Sequence, residues 1–357
     1  MKSLSGKYSL LVAYVFIVLI LQSCKKTESL TPPVTESTES TVSKSNLSVL
    51  ASTPPDSLFT KILTPRTPAN PNPIKSGYKI CSDSKGNLYV SGVPYIRKIT
   101  PNGVISQFGP PLNVNGIKAA KNGDIYIVGL NNNTRGIAKI TAGGVVSYIT
   151  LTGQQLQDPT DLALADDGTI YITDERLHQV LKVTPDRVCT PLAGSQTAVG
   201  SADGIGNKAH FTNPYNIKLA ADGILWVVDG NEIDPSGRTI RKVTLSGAVS
   251  TKFRFPNSLV NDYIFDIAVA KRDRNFNPSP YESIFILYRS GKVSHWGTNG
   301  VETPLNIYTN EGNAGGAYTK AKFVDVTSIC IHENAIYIPE SYNYYSFVVR
   351  KITKYKQ

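Results

Sequence analysis

The chain carries one short pattern six times, and this repetition constrains the fold more than any other feature of the sequence. The pattern is a polar turn followed by a β-rich run with an aromatic residue at a fixed place. The aromatic residues of the six copies are Tyr89, Tyr126, Tyr171, Trp226, Phe285 and Tyr337. Repetition of this kind indicates that each copy is one supersecondary unit, which buries its apolar face against its neighbours.

A second pattern, a lysine followed by an aliphatic residue and threonine, comes after the aromatic residue. It occurs as Lys98-Ile99-Thr100, Lys139-Ile140-Thr141, Lys182-Val183-Thr184, Lys242-Val243-Thr244 and Lys351-Ile352-Thr353. In the fifth copy we assign the same role to Lys292-Val293-Ser294. A Gly-Val turn and a further strand often follow, and no apolar pattern at helical spacing is present. The sequence therefore predicts an all-β fold, a six-bladed β-propeller of four-stranded blades.

The sixth copy has no residues for an outermost strand after Thr353. Residues 57–62 (Ser-Leu-Phe-Thr-Lys-Ile) resemble the outermost strand of the first copy, residues 103–108 (Gly-Val-Ile-Ser-Gln-Phe). We therefore expect the N-terminal segment 57–63 to close the last blade and to leave no open sheet edge. The propeller should occupy residues 57–357.

The fourth copy resembles an NHL repeat from Leu192 to Thr244. The matching segments are Leu192-Ala193-Gly194-Ser195, Ser201-Ala202-Asp203-Gly204, Ala209-His210-Phe211, Asn213-Pro214-Tyr215-Asn216-Ile217 and Ile240-Arg241-Lys242-Val243-Thr244. Copies one to three match moderately, and copies five and six depart from the pattern. The resemblance covers about residues 57–357 and implies six blades, the usual architecture of that family.

The N-terminus has the pattern of an export signal. Lys2 and Lys7 precede an uninterrupted apolar run from Leu10 to Leu21, which is too short to span a bilayer as a helix but suits a signal peptide. The following Leu21-Gln22-Ser23-Cys24 resembles the lipobox of Gram-negative-type bacterial lipoproteins. The resemblance implies a signal peptide over 1–23, acylation of Cys24 (palmitate) and a lipid-anchored location in the cell envelope, with the outer membrane expected. A plain secretory signal is the alternative.

Residues 24–56 are rich in Ser, Thr, Pro and Glu and contain little to bury. Such a segment cannot offset its conformational entropy, so we expect a disordered tether between the lipid and the propeller.

The net charge of +10 arises from 37 Lys and Arg against 27 Asp and Glu, without any run of five basic residues. This dispersed charge argues against a nucleic-acid partner. An acidic glycan or an anionic lipid surface stays among the candidate ligands. We expect a monomer whose partners are the membrane, through the lipid, and a protein, peptide or glycan.

Tyrosines cluster in the segments predicted to connect strands on one face of the propeller. Tyr342, Tyr344 and Tyr345 fall within four residues, and the same face should carry Tyr308 and Tyr318. Aromatic side chains with a polar tip suit sugar or peptide recognition. We expect these five tyrosines to bind the ligand; the alternative is that they pack beneath their own loops.

Three acids, Asp174, Asp229 and Glu340, follow the second strand of their copies. A ring of acids could bind Ca²⁺ or another divalent cation, as the similarity to gluconolactonase-like propellers implies. The alternative, which we favour, is that they accept hydrogen bonds from turn amides. The equivalent places in copies one, two and five hold Ser91, Gly129 and Tyr288, so the acid ring is incomplete and we expect no cofactor.

Motifs for other catalytic chemistry are missing from the sequence. The four histidines, His178, His210, His295 and His332, fall at unrelated places in their copies, unlike those of zinc-dependent amidating lyases with a related propeller. We predict a non-catalytic binding propeller. A hydrolase, lactonase or lyase using a channel cation is the second interpretation, and a purely structural envelope component is the third.

Three cysteines remain after Cys24: Cys81, Cys189 and Cys330. We interpret all three as small buried apolar residues. A disulfide between Cys81 and Cys330, which belong to neighbouring blades of a closed ring, is the alternative.

Overall fold

Six sheets follow one another along the chain, one for each copy of the repeat. They belong to a computed structural model, which describes residues 59–63, 79–92, 95–131, 134–230, 238–255, 263–270, 283–296, 302–304, 326–333, 335–343 and 346–352. The predicted signal peptide (1–23) and tether (24–56), with Cys24, lie outside these ranges. Among the described residues there is no helix long and apolar enough to cross a membrane.

Every blade has four main strands, from the innermost at the channel to the outermost at the rim. Blade one has β2 (Ile80–Ser82), β3 (Leu88–Val90), β4 (Ile96–Ile99) and β5 (Ile105–Phe108), and blade two has β6 (Gly116–Ala119), β7 (Ile125–Asn131), β8 (Thr134–Ile140) and β9 (Val146–Ile149). Blade three has β11 (Pro159–Leu164), β12 (Ile170–Asp174), β13 (Gln179–Val183) and β14 (Val188–Gly194), and blade four has β16 (Pro214–Leu219), β17 (Leu225–Asp229), β18 (Thr239–Val243) and β19 (Ala248–Arg254). Blade five has β20 (Ile264–Ala270), β21 (Ser283–Tyr288), β22 (Val293–Trp296) and β23 (Glu302–Pro304), and blade six has β24 (Cys330–His332), β25 (Ala335–Asn343), β26 (Ser346–Ile352) and β1 (Phe59–Leu63).

The six blades form a closed ring. The innermost strand of each blade contacts that of the next, and β24 of blade six contacts β2 of blade one. Six clusters of buried apolar residues lie one at each interface between neighbouring blades in the described part of the chain. The chain is a six-bladed β-propeller, as the repeats predict.

The N-terminal strand closes blade six. β1 pairs antiparallel with β26, and Phe59 lies opposite Ile352 while Leu63 lies opposite Val348. The prediction that segment 57–63 supplies the missing outermost strand is confirmed over Phe59–Leu63.

Two blades have a fifth strand that the repeats do not predict. In blade three, β10 (Thr152–Gly153) pairs parallel with β14. In blade four, β15 (Gly204–Ile205) pairs with β19, and a single 3-10 turn (Gly206–Lys208) follows it. Both additions come from the connections that enter or lie between blades, where no repeated pattern marks them.

A single cross-strand pair explains both repeated motifs. The aromatic residue of the second strand lies directly opposite the lysine of the third strand in five blades; the pairs are Tyr89–Lys98, Tyr126–Lys139, Tyr171–Lys182, Trp226–Lys242 and Tyr337–Lys351. In blade four the Lys242 ammonium lies 5.1 Å from the centre of the Trp226 ring. An aromatic face shields the lysine stem and attracts its charge, so the two residue types recur together.

Blade five corrects the assignment of Lys292-Val293-Ser294. His295, rather than Lys292, lies opposite Phe285, at a ring separation of 5.0 Å. The lysine position of the motif is therefore taken in this blade by His295, three residues after Lys292. Burial lowers the pKa of His295, which favours the neutral imidazole against the Phe285 ring.

Cys81, Cys189 and Cys330 are free and buried. Each belongs to one of the apolar clusters between blades. Burial raises the pKa of the Cys81 thiol to about 12 and that of Cys189 to about 11, so both stay protonated and unreactive at neutral pH.

Candidate functional site in the central channel

The strand registers define two rings of residues on the innermost strands. The second ring consists of the residues opposite the repeated aromatics: Cys81, Lys118, Ala163, Lys218, Ala268 and Cys330. The first ring consists of the residues two positions earlier: Lys79, Gly116, Asp161, Asn216, Asp266 and Ser328. The first ring lies at the end of the sheets where the second strands finish, because Pro159 pairs with Asp174 and Val326 bridges to Glu340.

First-ring side chains tie neighbouring blades together. Asp161 of blade three accepts hydrogen bonds from the backbone amides of Leu162, at 2.9 Å, and Ile217 of blade four, at 3.2 Å. Asp266 repeats this arrangement one interface further on, because the amides of Ile267 (2.8 Å) and Ile329 (3.1 Å) donate to it.

At three further first-ring positions, other residue types also connect neighbouring blades. The Ser328 hydroxyl accepts from the amide of Ile80, at 3.3 Å, where blade six meets blade one. The side-chain amide of Asn216 donates to the carbonyl of Phe265, at 2.6 Å. At Gly116 a Cβ atom would come within 2.7 Å of the Asp161 Cα, so only glycine permits the approach of blades two and three.

Lys218 joins the two first-ring carboxylates into one charged network. Its ammonium lies 2.7 Å from Asp161 Oδ2 and 3.0 Å from Asp266 Oδ1. The Ser328 hydroxyl donates to the other oxygen of Asp266, at 2.6 Å. Burial alone would lower the pKa of Lys218, but the two carboxylates outweigh it and raise that pKa. Burial would likewise raise the pKa of Asp266, and Lys218 is the main cause that lowers it instead.

Lys79 extends across the channel. Its ammonium donates to Asn216 Oδ1, at 3.2 Å, although Lys79 belongs to blade one and Asn216 to blade four. Blades one and four are opposite each other in a ring of six. The mouth of the channel on the first-ring side is therefore crossed by a cation that bonds to a neutral amide.

Replacing Lys218 by Met should lower the free energy of unfolding by about 3 kcal/mol or more, because two buried carboxylates lose their counter-charge. The loss should be larger at pH 8 than at pH 5. Without Lys218, burial raises the pKa of the Asp266 carboxyl above its unfolded value, so stability is lost as the pH rises through it. Thermal and urea unfolding across this pH range would measure the effect.

The matched control is Lys182→Met, which removes a third-strand lysine away from the channel. The triple variant Lys218→Met/Asp161→Asn/Asp266→Asn should recover much of the lost stability, since no charge is left unpaired. A single Lys218→Met variant as stable as Lys182→Met would contradict the network.

The three acids that the sequence singles out are bound to groups of the protein itself. Asp174 accepts hydrogen bonds from the amides of Gln157, Asp158 and Leu177 at 2.7, 2.9 and 3.2 Å, and Glu340 is paired with Arg350 Nε at 2.7 Å. The described residues contain no group of three or more His, Cys, Asp or Glu side chains that could hold a metal ion. The structure therefore does not bring these acids into one cluster.

Asp229 is the third of these acids and is fully buried. It accepts from the amides of Thr212 (2.9 Å) and Asn213 (2.8 Å), and its second oxygen lies 3.4 Å from the Arg241 guanidinium. Burial raises the pKa of Asp229 to about 7, while Arg241 and the backbone amides favour the ionised form.

Arg241 fixes the long connection that enters blade four. The side chain is 0% exposed and donates to the carbonyls of Ala202 and His210 as well as to the carboxylate of Asp203, at 2.9, 3.0 and 2.8 Å. The buried guanidinium thus organises the part of the chain that most resembles an NHL repeat.

The tyrosines predicted to bind the ligand fall outside what the structure describes. Tyr308, Tyr318, Tyr344 and Tyr345 lie outside the described residues, and Tyr342 belongs to β25 without a described side chain. The last residue of β25, Asn343, and the first of β26, Ser346, lie at the same end of blade six as the first ring, because the bridge from Val326 to Glu340 is close to that end of β25.

Sequence reasoning missed the charged network. Its signal was available, since Asp161, Asn216 and Asp266 all lie two residues before the strand position opposite the aromatic. Aligning the copies on that position, rather than on the acids after the second strand, would have shown the first ring.

Comparisons with known proteins support the fold. No family model matches the sequence. A curated relative, the protein SUPPRESSOR OF QUENCHING 1 of Arabidopsis thaliana chloroplasts, is 38% identical over 78 residues, which are 21% of this chain and 7% of that protein. The chain thus spans only a small part of that relative's length.

Solved structures are similar over most of the chain. They include an auxiliary nutrient binding protein of Bacteroides ovatus (TM-score 0.56, 15% identity, 77% of this chain and 69% of that one). A virginiamycin B lyase of Staphylococcus aureus has a TM-score of 0.53 at 16% identity, over 82% of this chain and 99% of that one. A gluconolactonase of Xanthomonas campestris has a TM-score of 0.53 at 12% identity, over 77% and 87%. At these identities the likeness shows the propeller fold.

Proposed function

We propose that the protein is an NHL-like propeller lipoprotein of the cell envelope, anchored through Cys24, that binds a protein, peptide or glycan without catalysing a reaction on it. The main observation behind this proposal is that the carboxylates in the channel already have ion-pair and hydrogen-bond partners within the chain. Asp161 and Asp266 are committed to Lys218 and to backbone amides. A divalent-cation enzyme needs convergent oxygen or nitrogen ligands with lone pairs to spare.

A lactonase or lyase with a Ca²⁺ or similar cation is the alternative, and the propeller fold hosts both classes. Virginiamycin B lyase and gluconolactonase have the same fold, as does the nutrient binding protein. The acids Asp174, Asp229 and Glu340 favour the binding protein, because each already has a donor within the chain. We therefore propose no resident cofactor.

We place the binding surface at the first-ring end of the propeller, around the β25–β26 connection. Tyr342 lies near the end of β25, and Tyr344 and Tyr345 follow it in the sequence. We propose that these three tyrosines act as anchors, with Tyr308 and Tyr318 contributing from the preceding segment. Rigid aromatic side chains supply much contact area at a low entropic cost.

The variant Tyr342→Ala/Tyr344→Ala/Tyr345→Ala should bind roughly tenfold to a hundredfold more weakly to the best ligand found on a glycan and peptide array, because a few aromatic anchors carry most of the binding energy. Its melting temperature should be unchanged. Tyr148→Ala is the matched control, because Tyr148 is 59% exposed on an outermost strand.

Undiminished binding by a folded triple variant would place the site elsewhere. Saturable binding of Ca²⁺ or Zn²⁺ by the wild type, abolished by Asp229→Asn, would instead favour the enzyme. The array and the metal titration use the same protein preparation, so the two outcomes are separable.

A further inference from the structure

The two channel rings contain more cations than anions. The first ring has Lys79, Asp161 and Asp266 as its charged members, and the second has Lys118 and Lys218. Both carboxylates are bound by Lys218. Three lysines against two carboxylates give these five side chains a net charge of +1. Within the part of the chain that the structure describes, neither Lys79 nor Lys118 lies in an ion pair, although the charge of Lys79 also helps to lower the pKa of Asp266.

These two lysines differ in what they contact. Lys79 donates to the neutral amide of Asn216 across the channel, at 3.2 Å. Lys118 is half-buried, and among the described residues it makes no side-chain hydrogen bond. Partial burial of an ammonium without a paired carboxylate is unfavourable, and the channel residues carry one positive charge in excess, so the space between Lys79 and Lys118 is predisposed to accept an anion.

Lys118 shares the channel with the other charges. Burial raises the pKa of the Cys81 thiol. The positive charge of Lys118 and, to a smaller extent, that of Lys218 lower this pKa, whereas Asp83 raises it. The same two lysines act on Cys330, on the far side of the junction between blades one and six. The other members of the second ring are cysteine or alanine, so Lys118 and Lys218 are the only second-ring side chains long enough to reach the bore.

We propose that the channel is an anion-binding site, in which the ammoniums of Lys79 and Lys118 receive a carboxylate or phosphate group of the ligand. This inference rests on the proposed binding function and deepens it, because it gives the ligand an anionic group. Lys218 contributes no free positive charge, since it is paired with both Asp161 and Asp266. The half-buried state of Lys79 and Lys118 leaves them accessible from solvent. Ammonium–oxyanion hydrogen bonds formed away from bulk water are among the stronger ones.

The test is calorimetric titration of the full chain with inorganic phosphate and, separately, with acetate and glucuronate, at constant ionic strength set by chloride. The wild type should bind at least one probe saturably and gain thermal stability from it. Lys118→Met and Lys79→Met should each weaken that binding about tenfold or more, because each removes one of two charged contacts. Lys182→Met should leave it unchanged, and Lys118→Arg should retain most of it.

Stability separates a ligand site from a structural role. Lys118→Met should melt at or above the wild-type temperature, because it removes a cation without a partner, whereas Lys218→Met should melt lower. No saturable binding of any probe by the wild type, or binding by both methionine variants as tight as that of the wild type, would overturn the proposal. So would a loss of stability in Lys118→Met as large as that in Lys218→Met. If array binding persists while anion binding is absent, the binding function stands and the channel site alone fails. The phosphate and carboxylate arms tell the two anion types apart.

Discussion

Removal of residues 25–63 should lower the melting temperature of the propeller by on the order of 10 °C, because blade six loses its outermost strand. β1 forms a ladder with β26 over five residues, from Phe59–Ile352 to Leu63–Val348. Without it, β26 becomes an exposed edge and blade six is reduced to the three strands β24, β25 and β26. Differential scanning calorimetry on the purified protein would measure the change.

Removal of residues 25–55 is the control, and it should leave the melting temperature nearly unchanged because the ladder stays whole. A synthetic peptide with the sequence of residues 57–64 should restore part of the lost stability when it is added to the shortened protein, by adding a strand to the open edge. Equal melting temperatures for the two deletions would show that the β1–β26 ladder contributes little.

Replacing Cys24 by Ser should move the protein from the membrane fraction to the soluble fraction, with its propeller still folded. Under the proposed anchoring, the acyl chains on Cys24 are the attachment, and each buried methylene contributes about 0.8 kcal/mol. Fractionation of cells followed by a high-salt wash would measure the shift, and metabolic labelling with a palmitate analogue would report acylation directly.

Ser23→Ala is the matched control, because it keeps the small residue before the cysteine. It should stay in the membrane fraction and stay labelled. Retention of Cys24→Ser in the washed membranes would show that the protein is held by something other than this lipid.

The architecture could be predicted from the sequence because the cross-strand pair of an aromatic residue and a lysine recurs in every blade but the fifth. Pairs such as Trp226–Lys242 and Tyr171–Lys182 depend only on two adjacent strands, and local patterns record such pairs well. Blade five was misassigned because His295 occupies the lysine position there, and Lys292 offered a closer match in sequence.

The channel network could not be predicted in the same way. Lys218 meets Asp161 and Asp266 only after three blades have been arranged side by side, and these residues are 57 and 48 positions away from it along the chain. No local periodicity encodes a contact of that range. The acids after the second strand were predicted as candidates because they recur at the same place in three copies. Asp174 and Asp229, however, mainly accept hydrogen bonds from backbone amides of the connections beside them.

Because the N-terminal strand closes the ring, the order in which the chain is synthesised constrains when the propeller can finish folding. A ribosome makes β1 before any other strand of the propeller, whereas its partner β26 is made about 290 residues later. Contacts between residues so far apart in the sequence form slowly, because closing the long loop between them costs conformational entropy before the contact contributes stability. In a chain whose synthesis stops before β26, β1 has no pairing partner and the ring cannot close. The β1–β26 ladder thus requires that synthesis has passed β26, and until then β1 is a strand with unpaired backbone groups.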